Sequence, residues 1–124
     1  MNEKKILLHK DLIVWQKSVD LSVAIYKLTE AFPKSEVYGI VSQMRRACVS
    51  IPSNIAEGKK RNSPKDFRHF LSMALGSGAE LETQIEIAKR LGFGEKEDYL
   101  KVEETLDEVM RMLNTLSKKI SLLQ

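Results

Sequence analysis

Apolar residues recur along this chain at steps of three, four and seven, and they do so in four separate stretches. The first holds Val14, Leu21, Ile25, Leu28 and Phe32; the second Val37, Val41, Met44, Cys48, Ile51 and Ile55. The third runs Phe67, Leu71, Ala74, Gly78, Leu81, Ile85 and Ala88, and the fourth Val102, Leu106, Val109, Leu113, Leu116, Ile120 and Leu123. That spacing lays each set along one side of an α-helix, so the pattern predicts an all-α protein. Pro33, Gly58 and the run Gly92-Phe93-Gly94 separate the stretches. The expected helices cover about 11–31, 36–58, 64–91 and 95–122. Short turns between helices that each carry an apolar seam imply an up-down-up-down antiparallel four-helix bundle over 11–124, behind a flexible N-terminal arm at 1–10.

Helix ends are marked unequally. Asp11 and Ser35 are the expected N-caps of helices one and two. Helix three has the clearest start, with Ser63 as N-cap, Pro64 in the first helical position and Asp66 at the third. Gly58 is expected to end helix two, and Gly92 to close helix three as a left-handed cap. Pro52 falls inside the second seam, where it removes one backbone donor. The apolar spacing continues through it without a slip, so the expectation is one helix bent near Pro52. Ser50, Ser53 and Asn54 are there to bond the backbone groups it frees.

Two helices carry more apolar surface than one seam. Trp15, Val19, Val23 and Tyr26 form a second stripe on helix one, and Phe70, Met73, Ser77, Gln84, Ile87 and Leu91 one on helix three. Such stripes suit a self-associating surface. Trp15, Val19, Tyr26, Phe70, Met73 and Glu80 are the expected interface residues, with Glu80 facing an arginine such as Arg45 or Arg46 at a subunit boundary. The small residues Gly76 to Ala79 in mid-helix permit close helix approach.

The run Gln43-Met44-Arg45-Arg46-Ala47 followed by Ser50-Ile51-Pro52-Ser53-Asn54-Ile55-Ala56-Glu57-Gly58 resembles the signature of bacterial four-helix-bundle proteins encoded in intervening sequences of 23S ribosomal RNA genes. Further segments agree: Asp11 to Lys17, Phe32-Pro33 with Glu36 to Gly39, and Gly76-Ser77 with Ala79 to Gln84. The resemblance spans roughly residues 10 to 92. That family in turn resembles the accessory variability determinant proteins of diversity-generating retroelements, which are pentameric, basic and nucleic-acid-associated. The resemblance therefore implies a homopentamer, RNA or DNA as a partner, and a protein partner such as a reverse transcriptase.

Composition changes the picture chiefly through where the charge lies. At 124 residues, 43% hydrophobic and 30% charged, with net charge +3, the chain is an ordinary single globular domain by size. Residues 34–69, however, hold eight Lys/Arg against three acids, for +5, while residues 70–124 come to −3. A basic middle suits phosphates, or else is simply a solvated helix surface. One cysteine cannot form an internal disulfide, and no apolar run approaches the ~20 residues of a membrane span. The first ten residues hold too short an apolar stretch for a secretory signal. The expected setting is cytoplasmic, without a membrane.

Candidates for catalysis are poor. Asp66 and His69 lie three apart on a helix, but the chain has two histidines and no second such motif, so no metal is expected. Cys48 sits on a seam without a base nearby, which reads as core rather than nucleophile. Glu80, Glu82 and Glu86 read as surface carboxylates rather than an acid–base pair. No cofactor and no catalytic residue is expected, and the protein is read as a non-enzyme. The remaining signal is basic: Lys59, Lys60, Arg61, Lys65 and Arg68 bracket the turn before helix three, with Arg45 and Arg46 upstream. These seven are the candidate nucleic-acid contacts, made to backbone phosphates and blind to base sequence. No aromatic lies within Lys59 to Lys65, which argues against stacking on bases. The other reading is an oligomeric scaffold that recruits a protein, with no intrinsic nucleic-acid role.

Overall fold

The structure, a computed structural model, describes His9 and residues 12–123. It contains four α-helices: α1 (Ile13–Glu30), α2 (Ile40–Lys59), α3 (Pro64–Arg90) and α4 (Lys96–Ser121), with a short 3₁₀ turn at Lys34–Glu36. No strand occurs among the described residues. Each long helix touches two others. α1 packs on α2 and α4, and α3 packs on α2 and α4, while the diagonal pairs do not approach.

The seams read from the sequence form the core. Leu21, Ile25, Leu28, Met44, Cys48, Ile51, Ile55, Leu71, Leu81, Val102, Val109 and Leu113 are sealed from solvent. Burying an aliphatic side chain of this size contributes about 1.5–3 kcal/mol, so these residues dominate stability. α4 loosens toward its end: Leu116 and Ile120 are half-buried and Leu123 is exposed.

Helix ends follow local chemistry where a side chain supplies it. The Asp66 backbone N–H donates to Ser63 Oγ at 3.1 Å, and Pro64 opens α3, as expected. At the other end Gly92 takes φ 78°, the Phe93 N–H donates to the Ala88 carbonyl, and the Gly92 N–H to the Lys89 carbonyl. Those two bonds make a Schellman closure, which only a residue tolerant of positive φ completes without strain. Gly94, at φ 82°, leaves room for Phe32, Leu28 and Tyr99 to close the end of the core.

Three expectations are corrected here. Helix two begins at Ile40 rather than 36, because Gly39 has a non-helical backbone and residues 34–36 close a separate 3₁₀ turn; Ser35 caps nothing and Val37 is exposed. Gly58 does not end helix two, since the helix continues to Lys59 with a right-handed C-cap at Lys60. Its role is space: a Cβ there would lie 2.8 Å from Phe70 Cβ and 3.0 Å from Phe67. Helix one has Leu12 in the N-cap position without a side-chain bond. The expected cap Asp11, and the arm at 1–10 apart from His9, lie outside the described residues. The His9 ring stands 5.2 Å from that of Trp15, edge to face.

α2 runs unbroken through Pro52. A helical N–H at position 52 would donate to the Cys48 carbonyl, and proline has none. Ser22 of α1 fills the vacancy, its Oγ donating to the Cys48 carbonyl at 3.1 Å. Asn54 instead donates to the Ser50 carbonyl and hydroxyl, and Ser77 of α3 donates to Ser50 Oγ at 2.9 Å. The polar residues around Pro52 thus tie α2 to both neighbouring helices.

Candidate nucleic-acid interface

The seven basic candidates divide into two groups. Arg45 and Arg46 lie one residue apart near the start of α2. Lys59 to Arg68 cluster around its far end, roughly 20 Å away at 1.5 Å per residue. A single phosphate contact cannot span both.

Arg45 is largely engaged within the molecule. Its Nε donates to Thr29 Oγ1 at 2.9 Å, a terminal nitrogen donates to the Tyr26 carbonyl at 3.3 Å, and its guanidinium lies 4.4 Å from the Tyr26 ring centre. Placed at the C-terminal end of α1, this charge meets the negative end of the helix dipole. Arg45 therefore clamps α2 onto α1. Arg46 is exposed and shares a cleft with Gln43, Ala47, Ser50, Ser77 and Glu80. No ion pair within 4 Å joins Arg46 or Arg45 to Glu80 among the described residues. Arg45 also lines a groove of about 800 Å³, with Phe32, Val41, Val49, Tyr38, Lys34 and Arg46. Tyr38 is 97% exposed there.

The turn between α2 and α3 holds the denser charge. Lys60, Arg61, Lys65 and Arg68 are exposed, and Lys59 is half-buried. Lys60 and Lys65 make no ion pair among the described residues. Arg61 pairs with Glu57 at 2.8 Å and lies over Phe70, 4.8 Å from the ring centre. His69 is exposed, with its ring 5.4 Å from that of Phe70, edge to face. No aromatic within Lys59 to Lys65 announces this neighbour, since Phe70 lies further along α3. Phe70 comes next to Arg61 through the fold: Gly58 lets α3 approach the end of α2, and the turn between them is short.

The expected interface residues are unevenly covered. Trp15, Val19 and Phe70 are half-buried, whereas Tyr26, Met73 and Glu80 are exposed. Val23 of α1 and Ile87 and Leu91 of α3 are further exposed apolar residues. Gln84, expected on the same stripe as Met73, is buried instead, and its Oε1 has no partner. Gly76 is open, with nothing within 4 Å of the Cβ it lacks, whereas Gly78 is packed beneath Met110 of α4.

Groups with shifted proton affinity lie away from the basic turn. Burial pushes the Cys48 thiol up, which leaves it a thiol at neutral pH. Burial, and then the nearby Glu103 charge, push Tyr99 up to about 12, and its hydroxyl donates to the Phe93 carbonyl at 2.6 Å. Arg90 holds Glu86 down, and Glu103 raises Lys89, both at the surface. No three His, Cys, Asp or Glu residues converge as a metal cage among the described residues. No helix there is long and apolar enough to cross a membrane.

Residues 10–115 match the family model for the 23S rRNA-intervening sequence protein. A crystal structure of a protein with unknown function from the S23 ribosomal protein family, from Bacteroides thetaiotaomicron, is similar over 86% of this chain and 99% of that one. The TM-score is 0.76 and the identity 27%. No curated protein matches.

Proposed function

The chain belongs to the 23S rRNA-intervening sequence protein family, and from that premise we propose a non-enzymatic, homo-oligomeric helical bundle that holds RNA or DNA by its backbone phosphates. One observation carries this reading: Lys59, Lys60, Arg61, Lys65 and Arg68 gather at one end of the molecule, four of them exposed, where α3 begins. Cations on one surface, beside the N-terminal end of a helix dipole, attract a polyanion without reading its bases. The resemblance to the accessory proteins of diversity-generating retroelements adds the ring of five and a role beside a reverse-transcribing or RNA-processing machine; the lone, buried Cys48 suits a cytoplasmic setting. A symmetric ring would repeat the basic turn and build a broad positive surface. The exposed Val23 and Tyr26 on α1, and on the α3 side Met73, Ile87 and Leu91 with open Gly76, supply apolar area for such contacts.

An up-down-up-down order is part of the same reading. The contacts of Thr29 with Arg45, of Gly58 with Phe67 and Phe70, and of Lys89 with Glu103 support it, because late residues of one helix meet early residues of the next. A bend of α2 near Pro52 belongs here too, supported by the missing donor and by the Ser22 bond to the freed carbonyl.

The groove beside Arg45 favours a second reading, a scaffold that docks a protein partner, with Tyr38 and Val49 as apolar contacts. Charge reversal separates the two. Lys59/Lys60/Arg61→Glu, assembled like the wild type by native mass spectrometry, should lose binding to structured RNA and duplex DNA. Binding that survives reversal, or a wild type that binds neither at low salt, would defeat the phosphate reading.

A further inference from the structure

The charge on Arg61 is already met by Glu57 at 2.8 Å, which makes it a weaker phosphate ligand than its neighbours Lys60 and Lys65. What Arg61 offers instead is a plane. The Phe70 ring supports its guanidinium from one side at 4.8 Å, and the Glu57 carboxylate holds its edge. The side chain is still 45% exposed. His69, exposed beside Phe70, meets it edge to face and lies outside that plane. A guanidinium fixed on an aromatic ring loses little freedom when a further flat group stacks on it.

From this arrangement we propose that the basic turn takes an unpaired nucleotide: one base stacks on the outer face of Arg61 while Lys60 and Lys65 hold the flanking phosphates. The inference rests on the phosphate-binding reading and narrows it to strands with unpaired bases, since a duplex keeps its bases within its own stack. Neither lysine has an ion pair among the described residues, so both charges remain for the strand. Sequence preference stays weak, because every base presents a flat face.

The test uses the full-length protein and short oligonucleotides carrying 2-aminopurine, whose fluorescence falls on stacking, with anisotropy read for the single strand and its duplex. Arg61→Lys keeps the charge and removes the plane, and it lies at an exposed position where the fold tolerates it. The expected result is quenching by the wild type, lost in Arg61→Lys, with single-strand affinity down about tenfold and duplex affinity within about twofold. Lys60→Gln should weaken both forms alike. Equal loss on both forms in Arg61→Lys, or no loss on either, overturns the stacking site and leaves phosphate binding standing. A wild type that binds neither form overturns both.

Discussion

Removing the Ser22 hydroxyl should cost stability only while Pro52 is present. In α2 the Cys48 carbonyl lacks its helical donor because residue 52 is proline, and Ser22 Oγ donates to it at 3.1 Å. Cys48 is fully buried, so water does not replace that donor. An unsatisfied buried carbonyl costs about 1–3 kcal/mol. Alanine regains roughly 0.5 kcal/mol of helix propensity over serine, leaving a net loss of about 0.5–2.5 kcal/mol for Ser22→Ala. Ser22 Oγ also lies 3.1 Å from the Ser18 carbonyl, and sharing its one hydrogen places the loss toward the lower figure. In a Pro52→Ala background the helix supplies its own N–H to Cys48, and the same Ser22→Ala change should be neutral or stabilise by up to about 0.5 kcal/mol. The coupling is then about 1 kcal/mol, well above the ~0.3 kcal/mol scatter of independent sites. Urea unfolding followed by circular dichroism reads it directly. With slopes of about 1–3 kcal/mol/M, Ser22→Ala shifts the wild-type midpoint by tenths of a molar or more. Equal cost in both backgrounds would refute the account of Pro52.

Other expectations follow from single contacts. Gly58→Ala should destabilise by about 1–3 kcal/mol, since its Cβ meets Phe70 Cβ and Phe67, whereas Gly76→Ala, in open space, should stabilise the protomer by about 1 kcal/mol; urea midpoints check both. If Gly76 lies between copies, the same alanine lowers the assembled fraction by native mass while raising protomer stability. Tyr99→Phe loses the 2.6 Å bond to the Phe93 carbonyl, about 1 kcal/mol at neutral pH. With the folded pKa raised to about 12 against an ordinary 10, the native state keeps its proton longer than the unfolded chain, so Tyr99 stability is complete below pH 10 and is lost between 10 and 12. The gap between wild type and Tyr99→Phe in unfolding midpoint should therefore narrow as pH rises past 10.

The fold was legible where a helix has one buried side. Leu21, Ile25, Leu28, Leu71, Leu81, Val102 and Val109 fell on seams and are in the core, because helical period and burial are the same fact seen twice. Ser63 and Gly92 were legible for a different reason, since each satisfies its helix end within a few residues. Contacts between helices were not. Gly58 followed the seam and preceded a polar run, as a cap does, yet it makes room for Phe67 and Phe70 on another helix. Ser22, twenty-six residues from Cys48, carries no local sign of the carbonyl it serves. The basic turn was evident from its charges, but the clamp of Arg45 on Thr29 and the stack of Arg61 on Phe70 arise only once helices pack.

The most direct test of phosphate binding at the α2–α3 turn is the slope of log affinity against log salt for wild type, Lys60→Gln and Lys60/Lys65→Gln. Each neutralised phosphate contributes about one unit of slope, so the account predicts a steep wild-type line that flattens by about one unit with each lysine removed. An unchanged slope in the double variant, or a flat line for the wild type, would contradict it.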